Sequence, residues 1–397
     1  MKKQSFYTIF LTLSLVIFLF SGKFWAFKTT DNILAIQGGT LIDGTGSLPL
    51  PEAVIIIKNE YISAVGKQES IKIPEGAKVI RLKDCTILPG FINAHVHNGY
   101  NEQNLQTWAI NGVTTVRDLG GDLQNDLFSF RNKTLRDSTL ARLVVAGPML
   151  TVPGGYPKVP WGSPAGLPVT SADDAREKTI KLLDDGADII KIALESGERF
   201  QQKIPVLSQE EAKAIVEAAH QRGTIVSAHV LMAKDLENAL KAGVDDIAHM
   251  VTDDPSDELI KRVVDQGVYW VPTLELWHGV GSGMGDVAIR NLRRFIEADG
   301  KVALGTDFDG YSCPFDLGMP IKEIRWMKEA GMSPMQIIVA ATKNAAYVCN
   351  LTKSIGTLES GKMADVLVVR GNPLEDLETL MNPVMVIHGG EIIRDRH

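Results

Sequence analysis

Cysteine is scarce in this chain. Across 397 residues there are three, Cys85, Cys313 and Cys349, far apart and odd in number. They make no C-x-x-C pair of the kind that holds structural zinc, and no disulfide framework. They read as small buried apolar fillers. Basic runs interleaved with aromatics are also missing: aromatics make up 7% of the residues and the net charge is −7. That balance excludes nucleic acid as a partner class. No G-x-G-x-x-G follows the first apolar strand of the central region, so the open doubly wound sheet, the structural rival of a barrel, lacks its marker.

What is present is ordinary material for a large core, 45% hydrophobic and 22% charged, enough for one large or two moderate domains. Lys2-Lys3 precede an uncharged apolar run from Phe6 to Phe20 that ends at Ser21-Gly22-Lys23. The run is short of the roughly 20 residues of a full membrane span. No small-x-small cleavage site follows, since Ala26 has Phe24 two positions before it. Residues 1–30 therefore read as a signal peptide or an uncleaved N-terminal anchor. The body is expected to be exported, periplasmic or extracellular, or tethered to a membrane if the leader stays.

Both ends of the body are β-rich. Leu34-Ala35-Ile36, Thr40-Leu41-Ile42, Val54-Ile55-Ile56-Ile57 and Tyr61–Val65 are short apolar runs broken by Gly and Asn turns, the pattern of antiparallel hairpins. Ala364–Val369 and Val384–Ile387 return to it. Residues 31–88 and 355–397 are thus expected to close one small β-sandwich from both termini.

Between them, residues 89–354 alternate strands with helices. The candidate strands are Phe91–Val96, Thr114–Arg117, Arg142–Ala146, Asp188–Ala193, Ile225–Ala228, Asp246–Ala248, Tyr269–Thr273 and Val302–Gly305. Amphipathic runs Asp173–Asp185, Gln209–Gln221 and Ala233–Ala242 are followed by Gly186, Gly223 and Gly243, the usual helix stop. Such alternation means a parallel sheet. Eight strands suit the roughly 250 residues of a (β/α)8 TIM-like barrel, whose sites lie at the strand carboxyl ends.

The polar residues at those ends form a set. Phe91-Ile92-Asn93-Ala94-His95-Val96-His97 closes the first strand with two histidines on one face, since residues i and i+2 of a strand point the same way. Lys191 interrupts the apolar Ile189-Ile190-Lys191-Ile192 of the fourth. Ser227-Ala228-His229, Ile247-Ala248-His249 and Gly305-Thr306-Asp307 end the fifth, sixth and eighth. Of the eight histidines in the chain, these four fall on one rim. Singly, His229 or His249 could be a hydrogen-bonded core histidine, Asp307 a helix N-cap and Lys191 an inward ion-pair partner. Together, imidazoles and a carboxylate suit zinc or a similar divalent ion.

At this point the chain resembles the amidohydrolase superfamily. The likeness rests on Leu88-Pro89-Gly90-Phe91-Ile92 leading to His95 and His97, on Gly112–Asp118, on Ala187-Asp188-Ile189-Ile190-Lys191, on the Ala-His and Gly-Thr-Asp endings, and on Gly361–Asp365. It covers nearly all of the chain after the leader. The branch it is most similar to contains Xaa-Pro and Xaa-Arg dipeptidases, ochratoxinase-like amidases and imidazolonepropionase-related proteins. The resemblance implies two divalent metal ions, zinc foremost. His95, His97 and Asp307 would hold the more buried ion and His229 and His249 the other, with Lys191, converted to a carbamate by carbon dioxide, bridging them. It implies hydrolysis of amide or related carbon–nitrogen bonds by a metal-bridging hydroxide, Asp307 serving also as the proton shuttle, on a small peptide or N-acyl amino acid-like substrate.

Specificity is less legible. Loops carrying Asn98-Gly99-Tyr100, Thr151 to Trp161, and Trp277-His278 are expected to line the mouth, with Tyr100, Tyr156 and His278 as candidate substrate contacts. The strand-3 loop departs from the Gly-Gly-His common in the branch, and Val230-Leu231-Met232 after His229 is less polar than usual. His220, His388 and His397 receive no role. A cyclic amide hydrolase, a deaminase of the same superfamily and a non-catalytic binding protein on this scaffold remain the alternatives, and a homo-oligomer stays open. Met232 stands where deaminases carry a helical glutamate.

Overall fold

The computed structural model describes residues 32–397 except 122–125, 159–165 and 282. The leader and Trp161 lie outside the described residues. Among those described, no helix is long and apolar enough to cross a membrane.

The first strands follow from β-branched runs that fit a pleated, covered surface. They are β1 (Ile33–Leu41), β2 (Leu50–Pro51), β3 (Ala53–Lys58), β4 (Tyr61–Lys67) and β5 (Lys78–Pro89). Alternation along β3 divides its side chains between two clusters. Ile55 and Ile57 join Ile36, Ile62 and Ile87, while Val54 and Ile56 join Ala35 on the other face. The chain's last strands, β15 (Val366–Arg370), β16 (Pro383–His388) and β17 (Glu391–Asp395), complete one eight-stranded sheet of order β17-β16-β15-β5-β1-β3-β4, with β2 on β1. The pairing is not wholly antiparallel as the turns suggested: β1 runs parallel to β5. Two runs read separately in the sequence are here one strand, bent where the register slips between Gly38 and Thr40. A side chain at Gly38 (φ +91°) would stand 2.5 Å from the Leu82 carbonyl oxygen, so only glycine fits that approach.

The central strands are β6 (Phe91–Val96), β7 (Val113–Asp118), β8 (Arg142–Val145), β9 (Met149–Thr151), β10 (Gly166–Pro168), β11 (Ile190–Ala193), β12 (Val226–His229), β13 (Asp246–Ala248) and β14 (Tyr269–Val271). They form two parallel sheets, β6-β7-β8 and β10-β9-β11-β12-β13-β14. No continuous ladder closes a ring among the described residues. Val302–Gly305 forms no ladder strand, but Val302 bridges Trp270 and Phe308 bridges Val96. The β9–β10 pair, inserted where a loop was expected, joins β11 through a single pairing. Intervening helices start and stop on the expected signals: Ser171 caps Ala172–Asp185, a Ser208–Glu211 capping box opens Gln209–Gln221, and Gly243 ends Ala233–Ala242.

Period-2 alternation sorts the parallel strands' side chains. Ile190, Ile192, Val226, Ala228, Ile247 and Trp270 belong to the large cluster that includes the helices. Ile189, Ile225, Ala248, Val271 and Ala303 form a second cluster on the opposite face. Lys191, Ser227, His229 and Asp246 alternate onto that second face. Of the cysteines, Cys85 and Cys349 are buried fillers, while Cys313 is only half-buried because it sits in the loop after Asp307.

Candidate active site

His95, the penultimate residue of β6, is fully buried, and His97, just beyond the strand, keeps 30% of its side chain exposed. Backbone hydrogen bonds fix Asp307 opposite them: its N–H donates to the His95 carbonyl at 2.9 Å, and the His97 N–H donates to the Phe308 carbonyl at 2.6 Å. Asp307 itself has φ +62°, an uncommon conformation for a non-glycine residue. The result is close convergence. His95 Nε2 lies 2.9 Å and His97 Nε2 3.1 Å from the same Asp307 Oδ1. A second pair meets nearby, with His249 Nε2 3.2 Å from His229 Nδ1. Donors about 2.0–2.1 Å from a tetrahedral ion sit about 3.3 Å from each other, so both groupings have ligand-like spacing. Ligand atoms of His95, His249 and Asp307 all fall within 4.8 Å of one another.

Lys191 is 1% exposed, and its Nζ has no hydrogen-bond partner among the described residues. Burial pulls its amine down to about 7, against the pull of Asp246 and aided by Arg117. Its charge is felt at His95, His97, His229 and His249. His95 and His229 are held well below the ordinary histidine value by burial, and burial brings His249 to about 4. For Asp307 burial pushes upward, yet its neighbours His95 and His249 win and hold the carboxyl well below its usual range. Burial pulls His97 down too, but its bond to Asp307 outweighs that and leaves it raised. The lowered imidazoles of His95, His229 and His249 beside a lowered carboxyl suit a cation, which takes a neutral imidazole and a carboxylate as ligands. His229 Nε2 also lacks a hydrogen bond. Buried polar atoms are rarely left so, and a divalent ion is the group these donors fit.

Beneath the cluster the polar groups are closed off. Arg117 is wholly buried and grips Asp246 with two nitrogens, at 2.8 and 3.0 Å, while donating to the Ala94 and Val348 carbonyls. Ser227 Oγ donates to the same carboxylate at 2.7 Å.

Of the candidate substrate contacts, Tyr156 stacks on the His229 ring, centroids 4.0 Å apart. Tyr100 donates to Asn98 Oδ1 at 3.5 Å. His278 stacks on Trp326 at 3.7 Å, and it is its neighbour Trp277 that meets the edge of His249, at 5.6 Å. Sequence reasoning missed Thr273, whose Oγ1 lies 2.9 Å from His249 Nδ1. Its place at the end of a strand was the available signal.

The amidohydrolase family model matches residues 86–393. Ochratoxinase of Aspergillus niger is 28% identical over 430 residues, spanning 91% of this chain and 87% of that protein. An adenine deaminase of Chelativorans sp. is 24% identical over 91% of this chain and 56% of its own length. Among solved structures, a Xaa-Pro dipeptidase with methionine bound in its active site superposes with a TM-score of 0.77 at 27% identity, covering 91% of this chain and 99% of that one. The chain belongs to the amidohydrolase family and is a hydrolase acting on carbon–nitrogen bonds.

Proposed function

We propose that the chain hydrolyses the amide bond of a small peptide or N-acyl amino acid-like substrate with the help of two divalent ions, zinc foremost. The observation that carries this is the pair of donor groups at ligand spacing, His95–His97–Asp307 and His229–His249, in electrostatic reach of one buried lysine without a hydrogen-bond partner. His95, His97 and Asp307 hold one ion in this reading, and His229 and His249 the other. Lys191, carrying carbon dioxide as a carbamate, would supply their shared anionic ligand. Its nitrogen lone pair, freed by burial, would form the N–C bond to carbon dioxide, and the displaced N–H proton would pass to water. When bound, the ions supply Lewis acidity toward the scissile carbonyl and a water of lowered pKa.

Asp307, ionised and fixed by the backbone of His95, accepts the proton of the attacking water and returns it to the leaving nitrogen. Tyr156, stacked on His229, walls the side from which the carbonyl arrives. The dipeptidase, by its name, supports a peptide substrate. We read residues 89–354 as a (β/α)8 barrel closed through the Val302 and Phe308 bridges, and 31–88 with 355–397 as its β-sandwich. Residues 1–30 are read as the leader of an exported or membrane-tethered protein.

Elemental analysis of the purified chain tests the core of the reading, with about two divalent ions per chain expected. Chelation should abolish turnover of N-acyl amino acids and dipeptides, and added zinc should restore it. Full activity in metal-free protein would end the proposal.

A further inference from the structure

His249 divides its two nitrogens between different neighbours. Nε2 lies 3.2 Å from His229 Nδ1, while Nδ1 lies 2.9 Å from Thr273 Oγ1 and 3.9 Å from Asp307 Oδ2. An imidazole that offers a lone pair at one nitrogen carries its proton on the other, and the partner of that proton sets both tautomer and ring orientation. A Thr273 hydroxyl that accepts the Nδ1 proton leaves Nε2 free to ligate.

Thr273 does this from an unfavourable place. It is wholly buried and has φ +51°, ψ +48°, a left-handed conformation that a β-branched residue rarely adopts. It is also the N-cap of the helix Leu274–Gly279, where a threonine hydroxyl ordinarily accepts an N–H of the first turn. Here that bond is not made, because the hydroxyl is turned to the imidazole. The first-turn N–H groups are accepted from another helix instead. Glu323, in Ile321–Glu329, takes the Leu274 N–H on Oε1 at 3.0 Å and the Glu275 N–H on Oε2 at 2.6 Å. Glu323 is fully buried, and no cation pairs with it among the described residues. Burial raises its carboxyl to about 8 in spite of the two donors. The same short helix presents Trp277 to the edge of His249.

We propose that Glu323 is a positioning residue for the metal centre: by capping Leu274–Gly279 in place of Thr273, it frees the Thr273 hydroxyl to fix His249 with Nε2 toward the ion. The inference rests on the two-ion reading of the site. It adds the device that sets one ligand, built from a residue some fifty positions away from Thr273 in the chain.

Cobalt(II) titration of the full chain after chelation, followed by visible absorption, tests it. The parent should take up about two Co2+. Thr273→Val, which keeps the shape and loses the hydroxyl, should weaken the second ion about 10–100-fold and alter the absorption band, while Thr273→Ser restores both. Glu323→Ala and the milder Glu323→Gln should reproduce the Thr273→Val spectrum. The Thr273→Val/Glu323→Ala double variant should be no worse than the poorer single one, since both act on one linkage. Parent-like affinity and spectrum in Thr273→Val, or additive losses in the double variant, would overturn the proposal while leaving the two-ion reading intact. A parent that binds no second Co2+ would overturn both. If Glu323→Ala does not fold, Glu323→Gln and the Thr273 pair carry the decision.

Discussion

Two sets of buried charges in this molecule are handled in opposite ways. Where the eight-stranded sheet meets the parallel strands, Arg142 donates to Asp365 at 2.7 Å and to Thr115 at 3.0 Å, and Asp365 also accepts the Gly389 N–H. His388 Nδ1 lies 2.9 Å from the Ser138 carbonyl oxygen. Arg117 and Asp246 are matched as fully. On β11 and β12, Lys191 and His229 keep buried nitrogens without hydrogen bonds. Both places incur the desolvation of polar groups, and only one recovers it within the chain. Closed networks hold the fold. In the proposed reading, the open ones take the metal ions.

Breaking the open end should cost activity and little stability. Lys191→Ala is expected to lose metal and to lower kcat at least about 1000-fold, with partial recovery on adding a short carboxylate and a metal-free Tm no lower than the parent's. Steady-state rates, elemental analysis and calorimetry check the three parts, and unchanged kinetics would remove the bridging role. Asp307→Asn should retain metal and lower kcat by about 100–10,000-fold. A change confined to KM would mean that Asp307 does not shuttle the proton.

The closed junction should show the reverse. Arg142→Met leaves Asp365 buried and unpaired, at a cost of about 3–5 kcal/mol in stability, with kcat unchanged in the protein that remains folded. Denaturant titration beside kinetics measures the separation. The smallest effect concerns pH. Burial holds His388 below its ordinary value despite Asp365, so the unfolded chain binds its proton first as pH falls. Its contribution is whole above about pH 6.5 and is lost on acidification toward the folded value. Burial pushes Asp365 upward, but Arg142 outweighs it and holds this carboxyl low. The Asp365 contribution is therefore whole above about pH 3.9 and is lost only in stronger acid. Between pH 7.5 and 5, Tm of the zinc-loaded protein should fall less steeply in His388→Asn than in the parent, and equal slopes would count against the assignment.

The positions of the candidate site residues on their strands were legible because their signals are local. His95 and His97 follow from the two-residue period of a strand, and Lys191 from its isolation in an apolar run. The helix stops at Gly186 and Gly243 were equally local. Three things were not legible. The parallel pairing of β1 with β5 depends on partners far apart in the chain, which turn residues do not encode. The Val302 segment has strand composition yet forms only isolated bridges. Thr273 looks like the last residue of a strand, yet its hydroxyl meets His249 from a left-handed backbone, and the N–H groups that follow it are accepted by Glu323 of a distant helix.

The central place of β5 has a consequence for biosynthesis. Arg370 pairs with Cys85, and Val366 with Pro89, so an emerging polypeptide exposes the outer edge of β5 throughout translation of the catalytic region. Unpaired edges recruit other chains, and distant partners make folding slow. Truncation before Val366 should therefore yield insoluble product even though every proposed metal ligand is present.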